Sequence, residues 1–319
     1  MSVPASAGSA EPLTTILAKR SGWRPIAAHH VKLSAGDIEI VVTDNAPWPP
    51  HHRGRYNGIA SLTHTAEPRN LFVPAYAGLN MEHILDGSET RSGPAPLFEP
   101  RVCPIQLRRI SDHSVEMYQA PTSHKGLESA MRFTLVPPHY IDVVYECIPR
   151  RAAFENGYIV IFWAAYINAP SDRAIYFLGR DEGHHSGERW LKAVTPAHGK
   201  LSTHRSVADP GPLPPVPGHP LTLVFNFSKH RYTRPFYYGR YHDMVYQVMF
   251  DDPERVRFSQ SPTGGGATNP AWDWQFVIRD YGVGKLYRLR ARVAYKKFVG
   301  PDDCLSEYER WRKGLGGTP

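Results

Sequence analysis

Residues 158–167 read YIVIFWAAYI, ten residues without a charge. Successive side chains of a strand point to opposite faces, so apolar residues at both parities require cover on both sides. The run is far short of the ~20 apolar residues that a membrane-spanning helix needs, and no other window approaches that length. It predicts a central strand buried between two layers. Around it, a period near 2 recurs at residues 37–43, 114–119, 127–136, 140–148, 174–178, 221–227, 241–250 and 286–298. These runs are rich in β-branched and aromatic residues and bounded by Gly, Pro, Asn or Asp. The chain's 30 prolines and 26 glycines supply the turns that so many short strands need.

Residues 127–136 and 140–148, joined by Pro137-Pro138-His139, predict a hairpin. Met131, Phe133, Leu135, Ile141, Val143, Tyr145 and Cys147 share its apolar faces. The other face carries Glu128, Arg132, Asp142 and Glu146, either solvated or lining a cleft. The stretch PDDCLSEYERWRK at 301–313 predicts a helix, opened by Pro and acids, closed by bases and followed by Gly314. No GxxxxGK[ST] and no strand–GxGxxG–helix unit occurs, which removes the usual nucleotide folds. Residues 209–220 (DPGPLPPVPGHP) are too proline-rich for regular structure, and 263–270 (TGGGATNP) form a glycine loop. The expected fold is all-β: a large antiparallel β-sandwich, supersandwich-like, with a short C-terminal helix. Its parts are a flexible tail at 1–22, one sandwich domain at 23–300, and the helix with its own tail at 301–319.

The 319 residues carry a formal charge of +7 and are 41% hydrophobic, too apolar and too mixed in sign for a disordered chain. Their arginines are scattered rather than interleaved with aromatics, so nucleic acid is not an expected partner. An anionic small substrate fits the basic excess as well as solubility does. Cys103, Cys147 and Cys304 lie far apart and suggest neither a disulfide framework nor a zinc knuckle. The first residues lack a basic region ahead of an apolar run, so the cytoplasm is the expected location and no membrane partner is expected.

Four stretches gather chemistry: 51–57 (HHRGRYN), 76–83 (YAGLNMEH), 198–204 (HGKLSTH) and 237–242 (YYGRYH). They offer imidazole, carboxylate, phenol and amide, the groups that move protons on a sugar. Alternation lets only one of His51 and His52, and only one of Glu82 and His83, face a given site if the chain is extended. No HExxH and no GxSxG elbow occurs. His184-His185 reads as a solvated turn. In NPAWDWQ (269–275), Trp272 and Trp274 flank Asp273, and an indole there either stacks on a sugar or plugs the core. In YRLRARVAYK (287–296), Arg288, Arg290, Arg292 and Lys296 share a face. That face is either a solvated edge strand or a cleft for a carboxylate.

The stretches HHRGRYNGIASL, LFVPAYAGLNMEHILDG and NPAWDWQFVIRDYGVGKLYRLRARVAYKKF resemble a group of bacterial proteins similar to the galactose-mutarotase-like superfamily. The resemblance runs from about residue 51 to 298 and implies a β-supersandwich with a carbohydrate ligand. The superfamily's glycine-rich and asparagine-rich signatures do not occur here, so no catalytic residue carries across.

Together these features predict a carbohydrate-active enzyme of lyase or epimerase type, working on a sugar or uronate by general acid–base proton transfer. His52 or His83 would be the base and Tyr56 or Tyr238 the acid, with Glu128 beside them. Arg53 or Arg288 would neutralise a carboxylate, and Asn57, Asn80, Trp272, Asp273 and Gln275 would hold the sugar. A divalent metal (Zn, Mn, Fe or Ca) on His51, Glu82 and His83 is a further expectation. The alternatives are a glycoside hydrolase on the same scaffold and a non-catalytic carbohydrate-binding protein. The expected partner in every case is a small, acidic or neutral carbohydrate or oligosaccharide.

Overall fold

The computed structural model describes residues 13–17, 23–183 and 187–315. His184 and His185 lie outside the described residues, as does most of the 1–22 segment. The chain forms a 16-stranded sheet and a 3-stranded sheet. One half of the large sheet runs, neighbour to neighbour, from Arg24–Pro25 through Gln106–Ser111, Ser114–Gln119, Leu127–Val136, Tyr140–Pro149 and Tyr287–Lys297 to Met244–Phe250 and Phe236–Tyr241. It continues through Ile175–Asp181, Phe227–Tyr232 and Thr203–Ser206 to Val256–Ser261, Ala271–Ile278, Ile159–Ala164 and Asn80–Leu85. Almost every pairing is antiparallel. The exception is Thr203–Ser206 against Phe227–Tyr232.

The two halves of this long sheet face each other across the core, which makes it a sandwich. Tyr145 meets Trp163 edge-on at 4.8 Å, Phe250 meets Trp274 at 5.2 Å, and Trp163 Nε1 donates to Met131 Sδ. Residues on the Ile159–Ala164 strand divide as their sequence requires. Ile159, Ile161 and Trp163 enter the main core, while Val160, Phe162 and Ala164 join a second apolar cluster with Leu85, Tyr166 and Leu223. Trp163 is fully buried and stacked on Trp274 at 4.0 Å. Trp163→Ala is expected to cost about 3–5 kcal/mol of stability, measured as the loss in a urea unfolding curve.

The predicted hairpin is present, with Val136 opposite Tyr140, and its expected apolar residues are all buried. Strand Tyr287–Lys297 corrects the edge-strand reading. It is internal, between Tyr140–Pro149 and Met244–Phe250. Its bases are tolerated there because acids stand opposite: Arg288 pairs with Glu146 and Arg292 with Asp142. Residues 221–227 are also corrected. Thr222–Phe225 is a helical turn, and the strand begins only at Phe227. The hydroxyls of Ser202 and Thr203 take the Leu223 carbonyl, and Leu223 and Val224 cover the second cluster instead of entering a ladder.

The C-terminal helix, Pro301–Gly314, lays Cys304, Tyr308 and Trp311 on Phe236, Tyr238 and Val245. Among the described residues, no helix is long and apolar enough to cross a membrane.

Candidate active site

On the face of Ile159–Ala164 turned away from the main core lies a cavity of ≈ 380 Å³, within the roughly 300–1,000 Å³ of small-molecule sites. Three adjacent strands form its floor, contributing Glu82 and His83, Phe162 and Ala164, and Ala271 and Asp273. Loops close it with Tyr56, Tyr76, Phe98, Arg101, Tyr166, His198 and the glycines at 264–266.

Glu82 and His83 are sequence neighbours, yet both line the cavity. The strand register explains how they escape alternation. Phe162 pairs with His83, but the next residue, Trp163, pairs with Met81. Glu82 is therefore an extra residue in the ladder, a β-bulge, and the bulge turns two consecutive side chains to one side.

His83 is biased to the neutral form in this setting. Its Nδ1 lies 2.5 Å from the Leu97 carbonyl, which can only accept, so Nδ1 carries the proton and Nε2 keeps its lone pair. The ring sits between Phe98 at 4.5 Å and Phe162 at 5.5 Å. Burial lowers its pKa below the ordinary 6.5, outweighing the opposite pull of Glu82.

Glu82 is held on both oxygens. Arg101 pairs with it at 3.1 Å, Tyr166 donates at 3.0 Å, and Arg101 also donates to the Tyr166 hydroxyl at 2.7 Å. Arg101 comes from the short helical turn Glu99–Val102. The Glu99 carboxylate pins that turn by accepting from the Thr122 hydroxyl at 3.0 Å and the His124 amide at 2.5 Å. The guanidinium of Arg101 lies over the Tyr56 ring at 4.1 Å. Burial pushes the Tyr166 phenol well above its usual range, so it remains a donor.

Asp273 completes the floor, only 2% exposed, with one oxygen accepting the Ala165 amide at 3.0 Å. Burial, reinforced by the charge of Glu82, pushes its pKa well above the ordinary 3.8 and biases it to the protonated form. The cavity thus holds an imidazole biased to the neutral form and a carboxyl biased to the protonated form. Behind two of the lining rings, Arg53 donates to the Tyr76 hydroxyl at 3.0 Å and stacks on Tyr56 and Tyr76. Among the described residues no carboxylate pairs with Arg53.

Of the residues expected from sequence, Tyr56, Glu82, His83 and Asp273 line the cavity, and Arg53 lies outside that lining against Tyr56 and Tyr76. The others are placed elsewhere. His52 is buried and its Nε2 bonds the Tyr56 carbonyl at 2.7 Å, bracing the loop that presents Tyr56. Asn57 exchanges hydrogen bonds with both backbone groups of Met81, and Asn80 accepts the Asn57 amide. The two asparagines stitch that loop to the bulged strand rather than meeting a ligand. His51 is exposed beside Trp48. Glu128 accepts from Tyr118 and pairs with Arg150 on the outer face, and Arg288 is paired with Glu146. Tyr238 stacks on Tyr176 near the C-terminal helix. Trp272 belongs to the core, and Gln275 bonds Thr203 and Ser259. His52→Ala is expected to lower stability by about 1–3 kcal/mol through the unpaired Tyr56 carbonyl, read from urea unfolding.

Arg101, Tyr166 and Phe98 were not legible as site residues. Tyr166 lies inside the apolar run 158–167, and Arg101 sits in no recognisable motif.

His51, Glu82 and His83 do not converge on one point. His51 lies beside Trp48, and the Glu82 oxygens are committed to Arg101 and Tyr166. Asp37, His64 and His139 do approach one another with ligand-like spacing, away from the cavity. However, the Ala66 amide donates to His64 Nδ1 at 2.9 Å. Neutral His64 then carries its proton on Nε2, the atom 3.9 Å from Asp37, and a protonated nitrogen offers no lone pair to a metal.

No family model matches this chain, and no curated protein matches it. Among solved structures it is similar to an Escherichia coli K12 protein provisionally named an aldose 1-epimerase. The two are 10% identical with a TM-score of 0.47, over 84% of this chain and 99% of that one. It is similar to a 4-α-glucanotransferase from Thermococcus litoralis at 8% identity and a TM-score of 0.42, over 86% of this chain and 39% of that one. It is also similar to the heparan sulfate lyase HepC from Pedobacter heparinus at 10% identity and a TM-score of 0.40, over 82% of this chain and 34% of that one. These likenesses assign no residue and no reaction to this chain.

Proposed function

We propose that this protein is a carbohydrate-active enzyme that moves protons on a sugar or uronate, by a lyase- or epimerase-type reaction in the cavity described above. The observation that supports it is the bulge at Glu82, which brings the neutral His83 into the cavity that also holds Asp273. Pairs of titratable groups pushed apart in pKa mark an acid and a base. His83 stands on one outer strand of the floor and Asp273 on the other, with Phe162 and Ala164 between them. Two strand spacings, roughly 10 Å, separate their backbones, which leaves room for a ring.

In this reading His83 Nε2 takes the proton from the carbon next to a carboxylate. Charge then develops on that carboxylate, and Arg53 stabilises it. Asp273 supplies the proton to the leaving oxygen in a lyase, or to the opposite face of the carbon in an epimerase. Tyr56 and Tyr76 form an aromatic wall beside the sugar. Glu82 sets the local charge and is held in place by Arg101 and Tyr166. The hydrolase alternative draws on the second carboxyl in the cavity, but Glu82 has both oxygens occupied, which favours proton transfer by His83.

The test is a panel of aldoses, uronates and oligosaccharides incubated with the full-length protein and followed by NMR. Conversion of at least one is expected. Binding of a sugar with conversion of none would replace the enzyme by a carbohydrate-binding protein.

A further inference from the structure

Outside the cavity lining, the outer face of the large sheet carries two carboxylates with no exposure, Glu116 and Glu146. Both are reached by a segment more than a hundred residues away in sequence, residues 13–17. The amides of Leu13 and Thr14 and the Thr14 hydroxyl donate to Glu146, at 3.0, 2.8 and 2.5 Å. The Thr15 amide donates to Glu116 at 3.1 Å, its hydroxyl also donates to Glu116, and it accepts from Arg108 at 2.6 Å. Ile16 then packs on Ala130 and Ile148, next to Tyr118.

Two features separate this arrangement from an ordinary tail contact. First, the carboxylates do not depend on the segment for charge balance. Arg132 holds Glu116 at 2.9 Å and Arg288 holds Glu146 at 2.6 Å, all from internal strands of the sheet. The site is therefore built and electrically balanced without residues 13–17. Second, the segment makes none of the ladder bonds of a strand. It offers adjacent hydroxyls and N–H groups to two carboxylates, a hydroxyl oxygen to a guanidinium, and an aliphatic surface to an apolar patch. Consecutive Cα atoms are ~3.8 Å apart, so both carboxylates serve one short stretch of chain.

We propose that Glu116 and Glu146, with Arg108 and Tyr118, form a second ligand site for a neutral oligosaccharide, and that residues 13–17 occupy it as an internal plug. A saccharide meets the same demands: vicinal hydroxyls donate to the carboxylates and accept from Arg108, and the C–H face of a ring covers Ala130 and Ile148. Arg108, stacked on Tyr118 at 3.6 Å, is held flat for such a contact. This site stands apart from the cavity and does not rest on its proposed chemistry.

The test uses the full-length chain carrying Thr14→Ala, Thr15→Ala and Ile16→Asp together, titrated calorimetrically with neutral hexaoses of glucose, mannose and xylose. At least one is expected to bind tenfold tighter or better than to the wild type. The gain should vanish when Glu116→Gln and Glu146→Gln are added, and the synthetic peptide LTTIL should compete. Equal binding of every hexaose to wild type and variant would overturn the proposal, as would competition by the peptide alone. Wild-type protein supplies a second readout that needs no variant. A binding hexaose should speed hydrogen exchange at the amides of Leu13, Thr14 and Thr15, and unchanged exchange with all three would also overturn the proposal.

Discussion

Replacing His83 by Gln is expected to lower kcat on the responsive sugar by about 10²–10⁴-fold, with the urea unfolding midpoint little changed. Gln retains an N–H donor for the Leu97 carbonyl, which the native Nδ1 serves at 2.5 Å, but it offers no basic nitrogen. A loss in kcat without a loss of fold separates a base from a packing residue. The pH profile adds a sign. Burial lowers the His83 pKa, so the base form persists below the ordinary 6.5, and activity is lost only as pH falls through that lowered value. Asp273 behaves oppositely. Its raised pKa keeps the proton needed for catalysis, and activity declines as pH rises through that value. In Asp273→Asn the alkaline decline should disappear along with most of the rate, while a profile unchanged in shape in both variants would remove both residues from the chemistry.

The second large effect is on stability. Arg101→Leu is expected to cost about 3–5 kcal/mol, because it leaves Glu82 buried without its cation. Arg101 and Glu82 are 8% and 7% exposed, so water replaces the lost partner only in part. Adding Glu82→Gln to Arg101→Leu should restore part of that loss, since the remaining amide is neutral. Urea unfolding of wild type, both single variants and the double variant measures the coupling. Additive losses would show that the pair is not acting as a unit.

The fold was legible because its decisive feature is local. An uncharged run apolar at both parities and rich in β-branched and aromatic residues reads as a strand with cover on both sides, and Ile159–Ala164 has that cover. The hairpin and the C-terminal helix were legible for the same reason, through periodicity and end signals. Half of the candidate site was legible too, since Tyr56, Glu82, His83 and Asp273 stood out by residue type. What was hidden is the bulge. Alternation along 80–85 argues that Glu82 and His83 diverge, and only pairing with a strand some eighty residues later shows that they do not. Arg101 and Tyr166 were hidden because their role is set by each other and by Glu82, not by a pattern in the chain.

The asparagines and His52 mark the opposite error. A buried backbone N–H or C=O needs a partner as much as a sugar hydroxyl does. Asn57 satisfies Met81, and His52 satisfies Tyr56, with the same atoms that would grip a ligand. Residue type alone does not separate the two uses. The paired asparagines and the histidine are nonetheless close to the function, because they hold Tyr56 over the cavity and fix the strand that carries His83.

The most direct test of proton transfer in the cavity is solvent exchange into the sugar. The full-length protein is incubated in D2O with each uronate and aldose of the panel, and ¹H NMR follows loss of the ring C–H signals. Deuterium is expected to enter at one carbon, next to the carboxylate in a uronate, or a C–H signal to vanish through elimination, with neither occurring in His83→Gln. Sugars that bind but keep every C–H signal, in wild type and variant alike, would contradict the assignment of this cavity to acid–base catalysis.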